Sequence, residues 1–149
     1  MKNVYVTVYT KEQGRLDLNK QEYNNFNFES VIKHRTDGPA VIYYYENGSV
    51  WHESYYINNK LHKEDGPAAI WYYRYGSVWR EYYYINDKCH RIDGPAAIWY
   101  YKDGSVESEE YYINGKKYKK EDYDNLINEI KALPKSLRLI HKDWWVREL

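Results

Sequence analysis

With one cysteine, Cys89, the chain forms no intramolecular disulfide, an absence that fits a reducing compartment. Charge of one sign is missing as well, because 22 Lys and Arg balance 22 Asp and Glu. A duplex nucleic-acid binder carries a basic excess that neutralises phosphates, so the balance argues against duplex nucleic acid as a partner. It argues equally against an acidic DNA mimic. No stretch approaches the roughly 20 apolar residues that span a bilayer. The segment "MKNVYVTVYTKEQGR" lacks the apolar run and small-residue cleavage site of a signal peptide. These absences predict a soluble cytoplasmic protein without a membrane span. Phenylalanine is scarce too, with two residues against 20 Tyr and six Trp. Tyr and Trp join an apolar body to a polar tip, which suits a thin sheet with two half-wet faces and equally suits a binding surface. The 149 residues suffice for one ordinary domain with its own core.

What is present is periodic. "HRTDGPAVIYYYENGSVWHESYYINNKL" begins at His34, and related 28-residue segments begin at His62 and His90, with Tyr118 in the next equivalent place. Asp-Gly-Pro recurs at 37–39, 65–67 and 93–95, and Tyr-Ile-Asn at 56–58, 84–86 and 112–114. A fixed period of this size signals units that bury their apolar faces on one another. Each unit reads as two strands rich in aromatic and β-branched residues. Asn47-Gly48 and Asp103-Gly104 between them predict two-residue hairpins with positive φ at both central positions. Tyr75-Gly76 is a poorer pair, so that turn is expected to differ. Asn58-Asn59, Asn86-Asp87 and Asn114-Gly115 predict a second tight turn, since these residues tolerate the left-handed region. Asp-Gly-Pro marks a kink at a strand entrance, where proline has no donor to give.

Residues 34–117 are therefore expected to form three tandem β repeats. Residues 1–33 read as an N-terminal strand, "VYVTVY", and a degenerate capping repeat in which Phe28 takes the place of Tyr56. Residues 118–149 read as a C-terminal helical cap. There Tyr123, Leu126, Ile127, Ile130 and Leu133 make one helical stripe that Pro134 ends, and "SLRLIHKDWWVREL" adds a further short helical piece. A cap of this kind covers the open end of a sheet, with Trp144 and Trp145 as its bulk. The predicted fold is mainly β: an elongated antiparallel meander of tandem 28-residue hairpin repeats with a helical cap.

The run Gly-Ser-Val-x-x-Glu-x-Tyr-Tyr-Ile-Asn, at 48–58, 76–86 and 104–114, resembles the MORN repeat family, especially its bacterial variant. With His-x-x-Asp-Gly-Pro-Ala at its front, the whole unit is similar to repeats in uncharacterised proteins of tailed phages and giant viruses. The resemblance covers about residues 31–118, and the tail also looks like tails that accompany those repeats. It implies an elongated, curved sheet that serves contacts with proteins or membrane surfaces, and it implies no catalytic residues. The period of 28 is longer than that of ordinary MORN repeats, so the geometry between units departs from theirs.

Three His-x-x-Asp pairs, His34/Asp37, His62/Asp65 and His90/Asp93, have the residue types of metal sites or acid–base dyads. An element present in every unit is more economically read as part of the turn, with Asp capping it and His supplying a hydrogen bond. Glu53, Glu81 and Glu109 read likewise as cross-strand partners of Tyr, Lys or Arg. The chain offers no candidate nucleophile, no phosphate-cradling loop, no cofactor motif and no expected metal site, so an enzyme is not expected. "GKKYKKED" at 115–122 reads as a solvated turn with some capacity for anions.

The aromatic columns carry the functional expectation. Tyr43, Trp71 and Trp99 share one repeat position; Trp51 and Trp79 share another, which Glu107 ends. Tyr55 and Tyr83, followed by Tyr111, make a third. Strand alternation puts Trp51, Glu53 and Tyr55 on one face and Val50, His52 and Ser54 on the other. One modest helix region cannot cover such a sheet, so an aromatic area is expected to remain for a partner. The expected function is a non-enzymatic binding module that docks on a protein through Trp51, Trp79, Tyr55, Tyr83, Trp71 and Trp99. The likeness to phage repeats implies a host defence factor as the protein it blocks. Two alternatives are a binder that sequesters a nucleotide signal by base stacking, with Arg35, Lys63, Arg91 and the lysines near Tyr118 for phosphate, and a self-associating homo-oligomer.

Overall fold

The structure, a computed structural model, describes residues 3–137. In chain order the strands are β1 Val6–Thr10, β2 Gly14–Leu18, β3 Val41–Tyr44, β4 Val50–Ser54, β5 Tyr56–Ile57, β6 Lys60–Leu61, β7 Ala69–Tyr72, β8 Val78–Tyr82, β9 Tyr84–Ile85, β10 Lys88–Cys89, β11 Ala97–Tyr100, β12 Val106–Ile113 and β13 Lys116–Tyr118. The helices are α1 Lys20–Asn25 and α2 Lys120–Ala132, and Phe28–Ser30 forms a 3-10 turn. The chain is mainly β, as its sequence predicts. Nine antiparallel strands form one sheet in the order β2-β1-β3-β4-β7-β8-β11-β12-β13. The strand pairs β5–β6 and β9–β10 extend it as two short ribbons. No helix of the described residues is long and apolar enough to cross a membrane.

The turns sort by which residue must adopt positive φ. At 45–49, 73–77 and 101–105 only the glycine does, with φ of 83°, 97° and 87° at Gly48, Gly76 and Gly104. Each glycine N–H reaches the carbonyl of the tyrosine three residues back, at 2.9, 2.9 and 3.0 Å. These are three-residue loops, not the two-residue loops expected from Asn-Gly. The residue before the glycine is therefore unconstrained, and Tyr75 makes the same turn as Asn47 and Asp103. At the other end of the strands, Asn58-Asn59 and Asn86-Asp87 both have positive φ, as do Asn114 and Gly115, so these are the two-residue turns.

A one-residue shift then decides which way the tryptophans point. Tyr43 pairs with His52 but Tyr44 with Val50, so Trp51 is an extra residue without an opposite number. The same bulge leaves out Trp79 between Trp71–Arg80 and Tyr72–Val78, and Glu107 between Trp99–Ser108 and Tyr100–Val106. A bulge of this kind turns both of its residues toward one side of the sheet. Strict alternation, and with it the expected grouping of Trp51 with Glu53 and Tyr55, breaks at this position.

Neighbouring units lock through backbone bonds. The Asn59, Asp87 and Gly115 amides donate to the carbonyls of Lys33, Leu61 and Cys89, at 2.8, 2.9 and 2.8 Å. Ala40, Ala68 and Ala96, which follow each proline, are fully buried. Gly38 leaves room for the Arg35 guanidinium, since a Cβ there would lie 2.8 Å from Arg35 Cζ and the arginine would have to shift. On the N-terminal side β1 supplies the strand that flanks β3. Tyr9 donates to Ala40 (2.7 Å) as Tyr55 and Tyr83 donate to Ala68 and Ala96 (2.8 Å each). Residues 20–30, which align with the second half of a repeat, are instead helical: Asn19 and Glu22 form a capping box that starts α1. Tyr23 and Phe28 from this segment pack on Val6, Val8, Val41, Tyr5 and Tyr43. At the C-terminal side Tyr123 and Ile127 of α2 bury Tyr111 and Ile113 with help from Tyr118, Leu126 and Ile130. The predicted stripe is this packing face, and α2 ends at Ala132, before Pro134. Trp144 and Trp145 lie outside the described residues.

Candidate functional site: an aromatic face

Cross-strand register gives the sheet two chemically different faces. One carries Tyr43, His52, Trp71, Arg80, Trp99 and Ser108 in a single row from β3 to β12. The Trp51 indole stands edge-on to Tyr43 at 5.6 Å, so the bulge delivers it to this row. Trp71 is held from both neighbouring strands. The His52 imidazole stacks on it at 4.1 Å and 23°, and Arg80 Cζ lies 4.2 Å from its ring centre. Arg80 also lies 4.6 Å from the Trp79 ring centre, which puts Trp79 on the same face. Its buried Nε has no hydrogen-bond partner among the described residues, so the indole faces take that place through cation–π attraction. Tyr82 stands edge-on to both Trp71 and Trp99 at 5.5 Å.

His52 is fixed as a neutral ring. Its Nδ1 is 2.9 Å from the Ile70 carbonyl, which can only accept, so Nδ1 carries the proton. Nε2 then accepts the Ser54 hydroxyl. Burial pushes the His52 pKa down to about 4, with the Arg80 charge acting in the same direction. Tyr43, the next ring in the row, is held protonated by burial and by its Tyr23 neighbour.

The opposite face carries Ile42, Glu53, Ile70, Glu81, Ile98 and Glu109 in register. Here the glutamates serve tyrosines, as expected of them: Tyr72, Tyr100 and Tyr111 donate to Glu53, Glu81 and Glu109 at 2.9, 2.8 and 2.9 Å. Burial and the adjacent carboxylate raise all three phenol pKa values. Tyr55 and Tyr83 belong to this side and are covered by cations, with Lys63 Nζ and Arg91 Cζ each 4.0 Å from the ring centre. Of the six residues singled out for a partner, then, Trp51, Trp71, Trp79 and Trp99 are brought together, and Tyr55 and Tyr83 are not. His52 and Arg80, which wedge the tryptophans apart, were not anticipated. The signal available was their common repeat position, occupied by Ser108 in the third unit.

The His-x-x-Asp pairs separate. His34, His62 and His90 use Nδ1 to accept the Asn58, Asn86 and Asn114 amides at 3.1, 3.3 and 2.9 Å, so the first residue of each unit closes the Asn turn at that unit's far end. Histidine therefore accepts here, where a donor role was expected. Asp37 and Asp93 bind Arg35 and Arg91 at 2.7 and 2.8 Å. Among the described residues no group of three or more His, Cys, Asp or Glu is placed to hold a metal. Burial pushes the Cys89 thiol up to about 12, which leaves it without thiolate at neutral pH. Among the basic residues considered for phosphate, Arg35 and Arg91 are engaged as above, Lys117 with Glu110 and Lys120 with Asp124. An open concavity of about 930 Å³ lies beside the first hairpin tip, lined by Thr7, Arg15, Lys20, Tyr44 and Tyr45 among others. Arg15 there is held by Asp17 at 3.1 Å. No family model, no curated protein and no solved structure matches this chain.

Proposed function

We propose that this chain is a non-enzymatic, MORN-like tandem-repeat binding module whose aromatic face docks on a protein. The observation that carries the reading is the clamping of Trp71 between His52 and Arg80, with Trp51, Trp79 and Trp99 on the same side. Rings fixed before binding lose little conformational freedom when a partner covers them, and Trp and Arg are the residue types that dominate protein contact energies. The same clamping argues against base stacking at Trp71, because both of its ring faces are already occupied within the sheet. The phage-like pattern makes a host defence factor the first partner class to test, and host cytoplasm the place to look.

The test is quantitative affinity capture with wild type, Trp51→Ala/Trp79→Ala and, on the opposite face, Glu53→Gln/Glu81→Gln. The tryptophan pair is expected to lose a stoichiometric protein partner while retaining β-type circular dichroism, and the glutamate pair to keep it. Retention of the partner by the tryptophan variant, or a nucleotide as the only co-purifying species, overturns the reading.

A further inference from the structure

β4 and β8 are each bonded along both edges, inward to β3 and β7 and outward to β7 and β11. The equivalent part of β12, residues 106–110, has only β11 beside it among the described residues, because β13 pairs with Tyr111, Tyr112 and Ile113. By repeat spacing its next neighbour would be residues 125–128, and these lie within α2. Directly after β4 and β8, outward bonds run from Tyr55 to Ala68 and from Tyr83 to Ala96, so by alternation the residues two before, Glu53 and Glu81, also bond outward. The alternation of an antiparallel ladder then points the Glu109 N–H and C=O away from β11. The two inner strands are thus an internal template for what this edge receives.

Side chains along the edge modify that template. Where the first two units have Trp51/Trp79, His52/Arg80 and Ser54/Tyr82, the third has Glu107, Ser108 and Glu110. Glu107 and Ser108 are exposed, and Ser108 is the small cross-strand neighbour of Trp99. On the other face the template is unchanged. Ile70 and Ile98 lie opposite Glu53 and Glu81, and Tyr72 and Tyr100 bond those glutamates. Among the described residues Glu109 has Tyr111, from its own strand, in that role.

We propose that residues 106–110 of β12 are a strand-addition site for an extended peptide of another protein in which Lys or Arg alternates with an aliphatic residue and tyrosine. The backbone of such a peptide completes the Glu109 bonds. Its basic residues meet Glu107 and reach across Ser108 to the Trp99 ring, as Arg80 meets Trp71, while Glu110 keeps its Lys117 and Tyr112 bonds and adds negative charge to the edge. Its aliphatic residue and tyrosine meet Glu109 as Ile98 and Tyr100 meet Glu81. A second copy of this edge is disfavoured, since antiparallel self-pairing sets Glu107, Glu109 and Glu110 against their own kind. This site is the edge of the sheet and meets the aromatic face proposed above only at Trp99, away from Trp51 and Trp79.

The probe is a fluorescein-labelled peptide carrying Lys-Ile-Arg-Tyr-Lys, titrated into the full chain at low salt and read by anisotropy. A peptide of the same composition with the alternation scrambled, Glu107→Lys, Glu109→Pro and Trp51→Ala/Trp79→Ala serve as comparisons. The ordered peptide is expected to bind at least tenfold tighter than the scrambled one. Glu107→Lys, an exposed position that does not threaten folding, is expected to weaken it tenfold or more, as is Glu109→Pro, while the tryptophan pair leaves it unchanged. Equal binding of the two peptides, or insensitivity to both β12 variants, overturns the proposal. So does binding that appears only after removal of residues 138–149, or a dimer that Glu107→Lys dissolves.

Discussion

His52→Asn removes one titrating ring from the middle of the sheet while keeping an amide N–H for the Ile70 carbonyl. In the native protein the ring is 9% exposed and lies between Tyr43 and Trp71. Burial lowers its pKa from the ordinary 6.5 to about 4, so the native state holds it neutral and the unfolded chain binds the proton more readily. Its contribution is whole above pH 6.5, erodes as the pH falls, and is spent once the pH passes about 4. At 1.36 kcal/mol per pH unit, that interval amounts to about 3 kcal/mol. Urea unfolding followed by circular dichroism at several pH values between about 7.5 and 4 measures it directly. Wild type is expected to lose about 3 kcal/mol more than His52→Asn over that range. Burial lowers the His90 pKa as well, and Asp37, Asp103 and Glu110 are held low by their bonding partners, but these groups titrate alike in both proteins and cancel in the difference. Parallel stability curves for the two proteins would refute the neutral, stacked His52 and with it the clamp on Trp71.

The turn geometry predicts that Gly76→Ala costs about 1–2 kcal/mol in thermal or urea unfolding; with φ at 97° and nothing within 4 Å of the added Cβ, the cost is one of backbone conformation alone. Tyr75, 96% exposed, leaves that turn without the side-chain acceptor that Asn47 and Asp103 offer to Ser49 and Ser105, so Tyr75→Asn is expected to add about 0.5–1 kcal/mol in the same assay. At the C-terminal cap, Tyr123→Phe removes the hydroxyl that accepts the Gly94 N–H at 3.0 Å. A loss of about 1–2 kcal/mol is expected, with faster amide exchange in α2 and unchanged exchange in β7.

Strands, turns and the α2 stripe were readable in the sequence because each is written locally, in alternation, in Gly and Asn, and in spacing by three and four. What was not readable was the side of the sheet on which Trp51 and Trp79 fall. Alternation predicts it only where every residue has an opposite number, and the bulge supplies an extra one. Its signal is weak because it is a property of the pair of strands, β3 and β4, and not of either alone. The turn at Tyr75-Gly76 was misjudged for a related reason. Asn-Gly fits both a two-residue and a three-residue loop, and only the unit lacking Asn distinguishes them. Residues 20–30 illustrate a third limit, since their likeness to a repeat lies in side chains such as Phe28, which packs, as Tyr56 does, on the cluster of Val6, Val8 and Val41, but from a helical segment.

The bulge also has a chemical consequence. Without it, Trp51 and Trp79 would stand beside Glu53 and Glu81, and the indoles would be divided between the two faces of the sheet. With it, the sheet separates an indole, imidazole and guanidinium face from a glutamate–tyrosine face. The first is closed on its N-terminal side by Tyr23 and Phe28, filled in the middle by His52 and Arg80, and ends at Trp99 beside Ser108. Three nearly identical units thus give a surface with a direction. The position that runs His52, Arg80, Ser108 sets that direction, because it determines whether the tryptophan on the neighbouring strand is already stacked or still open to another molecule.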